Sequence, residues 1–302
     1  MTLATAPEGA KPAPEASTKV GRVLGSLLRR PLALFGLFII LAVVIAAVFA
    51  PWLAPYPPDE QFFDGLTIEG SPLPPNATFL LGTDLLGRDL LSRLLYGAQT
   101  SLAVGVIANS IAVGIGTLIG VTAGFFGGFI GAALMRFTDL TASFPALLLA
   151  IVLAAIFEPS LWIVIVVIAM VNWVQLCRSI YTQTRSLAER EFVEAEIAIG
   201  AGWGRILFRH LIPHLVPLMI VWGTLGISIT VLLEATLSFL GIGVQPPIPS
   251  WGNIINENQT YFLTAPWLVF IPGAAILLLS LAFNLVGEAL RDVLDPTQKG
   301  HY

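Results

Sequence analysis

The amino-acid sequence predicts an all-α membrane protein with six transmembrane helices and both termini cytoplasmic. Three observations carry this. Of 302 residues, 56% are hydrophobic and 11% are charged, with a mean hydropathy of +0.85; soluble domains are about 25% charged. Seven stretches of 18 residues or more contain no Asp, Glu, Lys or Arg, and about 20 apolar residues suffice to cross a bilayer as a helix. The basic residues, finally, fall almost entirely on one side of the topology those stretches define.

Residues 1–30 form a cytoplasmic tail. Its first 20 positions are rich in Ala, Pro, Glu and Lys, lack apolar periodicity and are expected to be disordered. The first span, 31–54, is too long an apolar run for a signal peptide, and Pro51 follows the small residues Ala46, Ala47 and Ala50 where cleavage would be needed. Residues 55–99 form an external loop. Its first part is Pro- and Gly-rich; apolar positions 90, 91, 94 and 95 then predict a short surface helix. The charge-free run 94–135 would be about 63 Å long as one helix, roughly twice the hydrocarbon thickness. Gly124, Gly127, Gly128 and Gly131 offer the break, so spans are expected at 100–124 and 132–157. Another follows at 160–178, then a charged loop over 179–213. Spans at 214–240 and 266–289 are separated by the turn-rich GIGVQPPIPSWGN. The five later spans make a core over 100–290, and 291–302 is a cytoplasmic tail.

With the N-terminus inside, Lys11, Lys19, Arg22, Arg29, Arg30, Arg136, Arg178, Arg185, Arg190, Arg205, Arg209, Arg291 and Lys299 fall inside, and only Arg88 and Arg93 outside. A seventh span would move Arg136 and the whole 179–213 loop outside, against the positive-inside bias.

The sequence has no G-x-x-x-x-G-K-[ST], and its three lysines all lie in the tails, so no phosphate-cradling loop is expected in this chain. No acid sits at the midpoint of a span. That counts against the competing class, an ion-coupled secondary transporter, because such carriers keep ionisable groups inside the membrane. A scaffold without a pathway is a third class. Asp139 lies three residues from Arg136 and is expected to pair with it. Glu234 falls near the outer boundary, as an interfacial acid bonded to a neighbour or as a group lining or closing a pathway. His210 and His214 are four apart, but Pro213 intervenes and no third ligand is near, so a metal site is not expected. The single Cys177 excludes an intrachain disulfide and reads as a small apolar residue. Gly114, Gly116 and Gly120 suit close helix packing. Outside, Gly82, Thr83, Asp84, Gly87, Arg88 and Asp89 suit a structured loop with a helix N-cap, or alternatively a gate or partner contact.

The most informative stretch is 187–217, LAEREFVEAEIAIGAGWGRILFRHLIPHLVP. An acidic helix pattern ends at Gly200, with Phe192, Val193, Ala195, Ile197, Ala198 and Ile199 able to form an apolar face. A basic pattern follows, with Trp203, Ile206, Leu207 and Leu211 on one side and Arg205 and Arg209 on the other. On pattern alone, two readings stand: a knob for a soluble partner, or two helices lying flat on lipid.

This stretch resembles the EAA loop of ABC-importer permeases. Glu194, Ala195, Gly200, Ile212 and Pro213 match its pattern, while Glu196 stands where the second Ala belongs. Three further stretches, LGTDLLGRDLLSRLLYGAQTSL, DLTASFPALLLAI and LEATLSFLGIGVQPPIPSWGNII, resemble the C-type permease of dipeptide, oligopeptide and nickel importers. The resemblance implies the type I permease fold in a bacterial or archaeal cytoplasmic membrane. It implies a heterodimer with a second homologous permease, two cytoplasmic ATPases that bind ATP and Mg, and an external substrate-binding protein. It implies no cofactor in this chain and no nucleic-acid partner. The coupling loop would comprise Glu194, Ala195, Glu196, Ile197, Ala198, Gly200, Ala201 and Pro213. Gly82, Asp84, Gly87, Arg88, Asp89 and Glu234 would belong to the outer loop or gate.

Overall fold

A computed structural model describes residues 25–294; of the expected tails 1–30 and 291–302, the parts 1–24 and 295–302, with Lys11, Lys19, Arg22 and Lys299, lie outside the described residues. The described residues are all-helical. Helix α1 spans Pro31–Val48, α2 Leu90–Phe126, α3 Gly128–Ala142, α4 Ala146–Ile156 and α5 Leu161–Ala188. Helix α6 spans Glu191–Ala198, α7 Trp203–Phe239, α8 Trp251–Asn258 and α9 Trp267–Leu294. Five of these, α1, α2, α5, α7 and α9, are long and apolar enough to cross a membrane. The pair α3–α4, bent by 87°, makes a sixth span if counted as one.

The expected surface helix and second span prove to be one 37-residue helix, α2. Asp89 begins it: its carboxylate accepts the Ser92 N–H at 2.7 Å, capping the first turn. The chain breaks after Phe126, where Gly127 and Gly128 carry positive φ. The expected straight span 132–157 is instead folded at Ser143–Pro145. Pro145 has no N–H to donate and disfavours helix at Phe144, so the chain turns there. The loop expected from 179 begins at Glu189 instead, because α5 stays helical through Ala188.

The principal helix interface is α2 against α5. It is built on glycines four apart. A Cβ at Gly116 would stand 2.7 Å from the Trp173 carbonyl, at Gly120 2.7 Å from that of Cys177, and at Gly124 2.9 Å from that of Tyr181. The two backbones touch there, as in small-residue seams of membrane helices. Gly114, expected to share this role, faces open space. Cys177 is buried in the seam, with Sγ 3.7 Å from Thr138 Oγ1.

Around this pair, α7 packs on α2 and α9, and α1 on α9 and α2. Arg30 at the start of α1 binds Asp292 near the end of α9 at 2.5 Å, so the first span starts and the last span finishes at the same end of the bundle. The expected Asp139–Arg136 pair is not formed. Asp139 takes Arg178 of α5 at 2.8 Å instead, and Arg136 points outward.

The seam predicts a contrast between neighbouring glycines. Gly120→Leu should destabilise the protein by about 1–3 kcal/mol through overpacking. Gly114→Ala should stay within about 0.5 kcal/mol. Thermal unfolding in detergent checks both; a native melting point for Gly120→Leu would remove the seam from the account.

Candidate functional site

Three local structures hold the residues singled out by the sequence. The first lies between α5 and α7. Helix α6 ends in a Schellman motif: the Gly200 N–H donates to the Ile197 carbonyl and the Ala201 N–H to that of Glu196, both at 3.0 Å. Gly200 has φ +81°, which a side chain rarely adopts. Val193 anchors the helix from beneath, 1% exposed, against Leu187, Ile206, Leu207 and Leu211. Phe192 stacks on the His214 ring at 5.4 Å.

The helix therefore presents Glu194, Ala195, Ile197, Ala198, Ile199 and Gly200 outward. Ile197 and Ile199 are 56% and 77% exposed, so the apolar residues expected on one face divide between an anchored side and a free side. Glu196 turns back to its own chain, with Oε1 3.2 Å from His210 Nε2. The departure from the family pattern is thus absorbed within this chain. His214 Nδ1 lies 2.6 Å from the His210 carbonyl, so the two imidazoles are not aimed at a common point. The second expected loop helix is the beginning of α7 itself. Pro213 lacks an N–H for the preceding turn, and residues Ile206–Leu211 widen into a π-helical turn ahead of it.

The second structure is a buried ion cluster at the opposite end. Asp84 Oδ2 accepts from Arg88 Nε and Arg93 Nη1, both at 2.6 Å. Glu257 Oε2 of α8 accepts from Arg88 Nη2 at 2.5 Å and from Arg93 Nη1 at 2.7 Å. Asp84 Oδ1 also accepts the N–H groups of Leu86 and Arg88. The side chains of Asp84 and Arg93 are fully buried. Two positive and two negative charges thus compensate one another in the cluster, the condition for burying them at all. Gly82 and Gly87 let the loop close on itself: a Cβ on either would stand 2.5 Å from a carbonyl oxygen, of Leu73 and Phe62 respectively. Sequence reasoning found Asp84 and Arg88 but missed Arg93 and Glu257. The signal was present, because Arg93 and Glu257 each interrupt a long stretch otherwise free of charge.

The third is Glu234 on α7. Expected at an interface, it is fully buried. Its carboxylate accepts from Ser101 of α2 at 3.1 Å and from Ser238 at 2.8 Å. Ser238 Oγ accepts the Val244 N–H, and Ser101 Oγ accepts that of Trp251. Glu234 therefore joins α2, α7, the 241–250 turn and the start of α8.

The fold is thus a helical bundle with candidate membrane spans, buried charges at one end and an anchored, exposed helix at the other. Residues 116–300 match the family described as "Binding-protein-dependent transport system inner membrane component", and residues 20–75 match the "N-terminal TM domain of oligopeptide transport permease C". The chain belongs to this family, in its C-type permease branch. It is 43% identical to the di/tripeptide transport system permease protein DppC of Pseudomonas aeruginosa over 268 residues, 88% of each chain. It is 40% identical to the glutathione transport system permease protein GsiD of Escherichia coli over 264 residues, 87% of this chain and 86% of the relative. A solved structure of the MetNI methionine ABC transporter, in inward-facing conformations, shares the fold. There the TM-score is 0.54 at 16% identity, covering 67% of this chain and 96% of that one.

The ion cluster carries a stability prediction. Arg93→Met would leave Asp84 and Glu257 short of a donor in a buried site and should cost about 3–5 kcal/mol. Arg178→Met, breaking a pair whose side chains are 44% and 50% exposed, should cost at most about 1 kcal/mol. Thermal unfolding of the two purified variants decides it; equal losses would refute the cluster's role.

Proposed function

We propose that this chain is a permease subunit of an ATP-driven importer of peptides, in which it lines half of the pathway beside a second, related permease. Two cytoplasmic ATPases bind ATP and Mg, and an external binding protein delivers substrate. The chain is a permease component and hydrolyses no ATP alone. The observation that carries the coupling role is α6, held from beneath by Val193 with its outer face free. The face it exposes carries Glu191 and Glu194, whereas helices that lie flat on lipid carry Lys and Arg on their polar face. On this reading Glu194, Ala195, Ile197, Ala198, Gly200 and Ala201 seat in a groove of one ATPase. Approach of the two ATPases then draws the loops together, and the pathway opens outward. Asp84, Arg88, Asp89 and Glu234, with Gly82 and Gly87 shaping the turn, hold the outer ends in register under the binding protein. The peptide assignment draws on the di/tripeptide and glutathione permeases to which the chain is similar.

On this reading both termini lie in the cytoplasm of a bacterial or archaeal cell. The Arg30–Asp292 pair supports this, since a last span that ends where the first begins requires an even number of crossings. So does the thirteen-to-two division of basic residues. In a Cys177→Ala background, single cysteines at Glu69 and Thr260 should react with an impermeant thiol reagent added to intact cells, and one at Ser186 should not. Labelling at Ser186 would refute the orientation.

Coupling is tested by substitution in α6. Gly200→Val forces a β-branched residue into positive φ, at a cost of about 1–3 kcal/mol confined to the loop. Peptide uptake should fall at least about tenfold with the protein still at normal abundance, and the ATPases should no longer co-purify or should hydrolyse ATP without transport. Glu194→Lys should act in the same direction by reversing charge at the docking face. Normal uptake by both variants would show that α6 is not the coupling element.

A further inference from the structure

Midway along the bundle is a cavity of about 380 Å³, bounded by α2, the α3–α4 bend, α5 and α7. It falls within the range of small-molecule sites, about 300–1,000 Å³. None of its lining residues is ionisable, yet it is not an apolar void: Asn109, Asn172 and Gln175 line it, with Thr141 and Trp222. Three carboxamides on two spans meet there, in segments otherwise given to Val, Ile, Ala and Gly.

The placement of these amides is costly to the rest of the bundle. Asn109 Nδ2 donates to the Gly223 carbonyl at 2.6 Å. Its Oδ1 occupies the space a Cβ at Gly226 would need, so α7 gives up a side chain to admit it. Asn172 Nδ2 donates to Thr230 Oγ1 at 3.1 Å. Each keeps an oxygen and a second N–H for another partner. Gln175 is exposed on the cavity wall, and its carboxamide bonds no other described residue. Neither Asn109 nor Asn172 has a side-chain oxygen or nitrogen that is both sealed from solvent and unpartnered, so their unused groups remain open to a ligand.

Chemistry selects the ligand. A carboxamide both donates and accepts, as a peptide group does, so the two pair in either direction. Being neutral, it neither traps nor repels an ammonium or a carboxylate. A route that must release what it binds needs contacts that are adequate but weak. We propose that Asn109, Asn172 and Gln175 form a contact site for the backbone of a peptide in transit, and that its lack of charge lets peptides of differing side-chain charge pass. The proposal rests on the importer reading and assigns the residues that would set its selectivity.

The test uses the complete complex in proteoliposomes, with both permeases, the ATPases and the binding protein. Uptake of neutral, acidic and basic dipeptides by the unsubstituted complex comes first and decides the importer reading by itself. Gln175→Glu should then lower uptake of the acidic peptide about five- to tenfold relative to the neutral one, and Gln175→Lys should do so for the basic peptide. Binding-protein affinity should be unchanged. Equal scaling of all three peptides, or no change in either variant, overturns the site. A second readout needs no transport. In a Cys177→Ala background, Gln175→Cys should react with a hydrophilic thiol reagent at rates that differ between nucleotide-free and ATP-trapped complexes. A cysteine inert in both states would mean that the wall packs against lipid or the second permease, and the proposal fails.

Discussion

The contact of α2 with α5 across Gly116, Gly120 and Gly124 is the constraint on which the rest of the bundle depends. In lipid no hydrophobic effect drives helices together, so close backbone approach and the dispersion it brings must do so. Once α5 stands against α2, its other faces are committed. Its C-terminal end supplies Leu187, which with Ile206 and Leu211 closes over Val193 of the loop helix. Its middle supplies Asn172 and Gln175 to the cavity. Arg178 reaches Asp139 and fixes the end of α3 before the bend. A side chain at Gly120 would push apart elements that never touch it.

The loop and the Glu234 network are both attached to one element. Helix α7 carries Leu207 and Leu211 at one end and Glu234 near the other, across 37 residues or about 56 Å. The helix is not uniform. Its π-helical turn and Pro217 fall in the portion nearest the loop, where missing or displaced backbone hydrogen bonds allow bending. The stiff portion lies beyond them, where Glu234 is held from both sides. On the coupling reading, motion at α6 is taken up first in that softer part and reaches the outer end as a change of tilt.

Much of this was legible in the sequence, for reasons that also explain what was not. The charge-free runs located the spans, Gly127 the first break, and Gly200 the end of the loop helix. Each is a local property. Errors came where charge was used as a boundary marker. Arg93 ended one apolar run and so seemed to lie outside a span; it lies in the first turn of α2, because Asp84 and Glu257 neutralise it there. The 140–157 run contained no charge and so seemed continuous, yet Pro145 folds it by 87°. Glu196 stands where the family pattern has its second Ala, with no partner near it in sequence. Its partner His210 lies beyond the Gly200 turn, and only the fold brings the two together. Asn109, Asn172 and Gln175 lay hidden by the averaging that makes spans visible, since one amide hardly alters the hydropathy of a 20-residue window.

The ion cluster also dictates an order of assembly. Arg93 and Glu257 are separated by 164 positions, which a ribosome takes about 8–33 s to traverse at 5–20 residues per second. Throughout that interval Arg88 and Arg93 have only Asp84 and Asp89 for company, and their burial is incomplete without the fourth charge. The outer segment must wait in a hydrated state while four further helices are threaded into the bilayer. Only when α8 arrives can the arginines leave water. The part of the protein that is made early is therefore finished late, and a nascent chain arrested before Glu257 would keep an open, protease-sensitive outer segment, whatever the state of its spans.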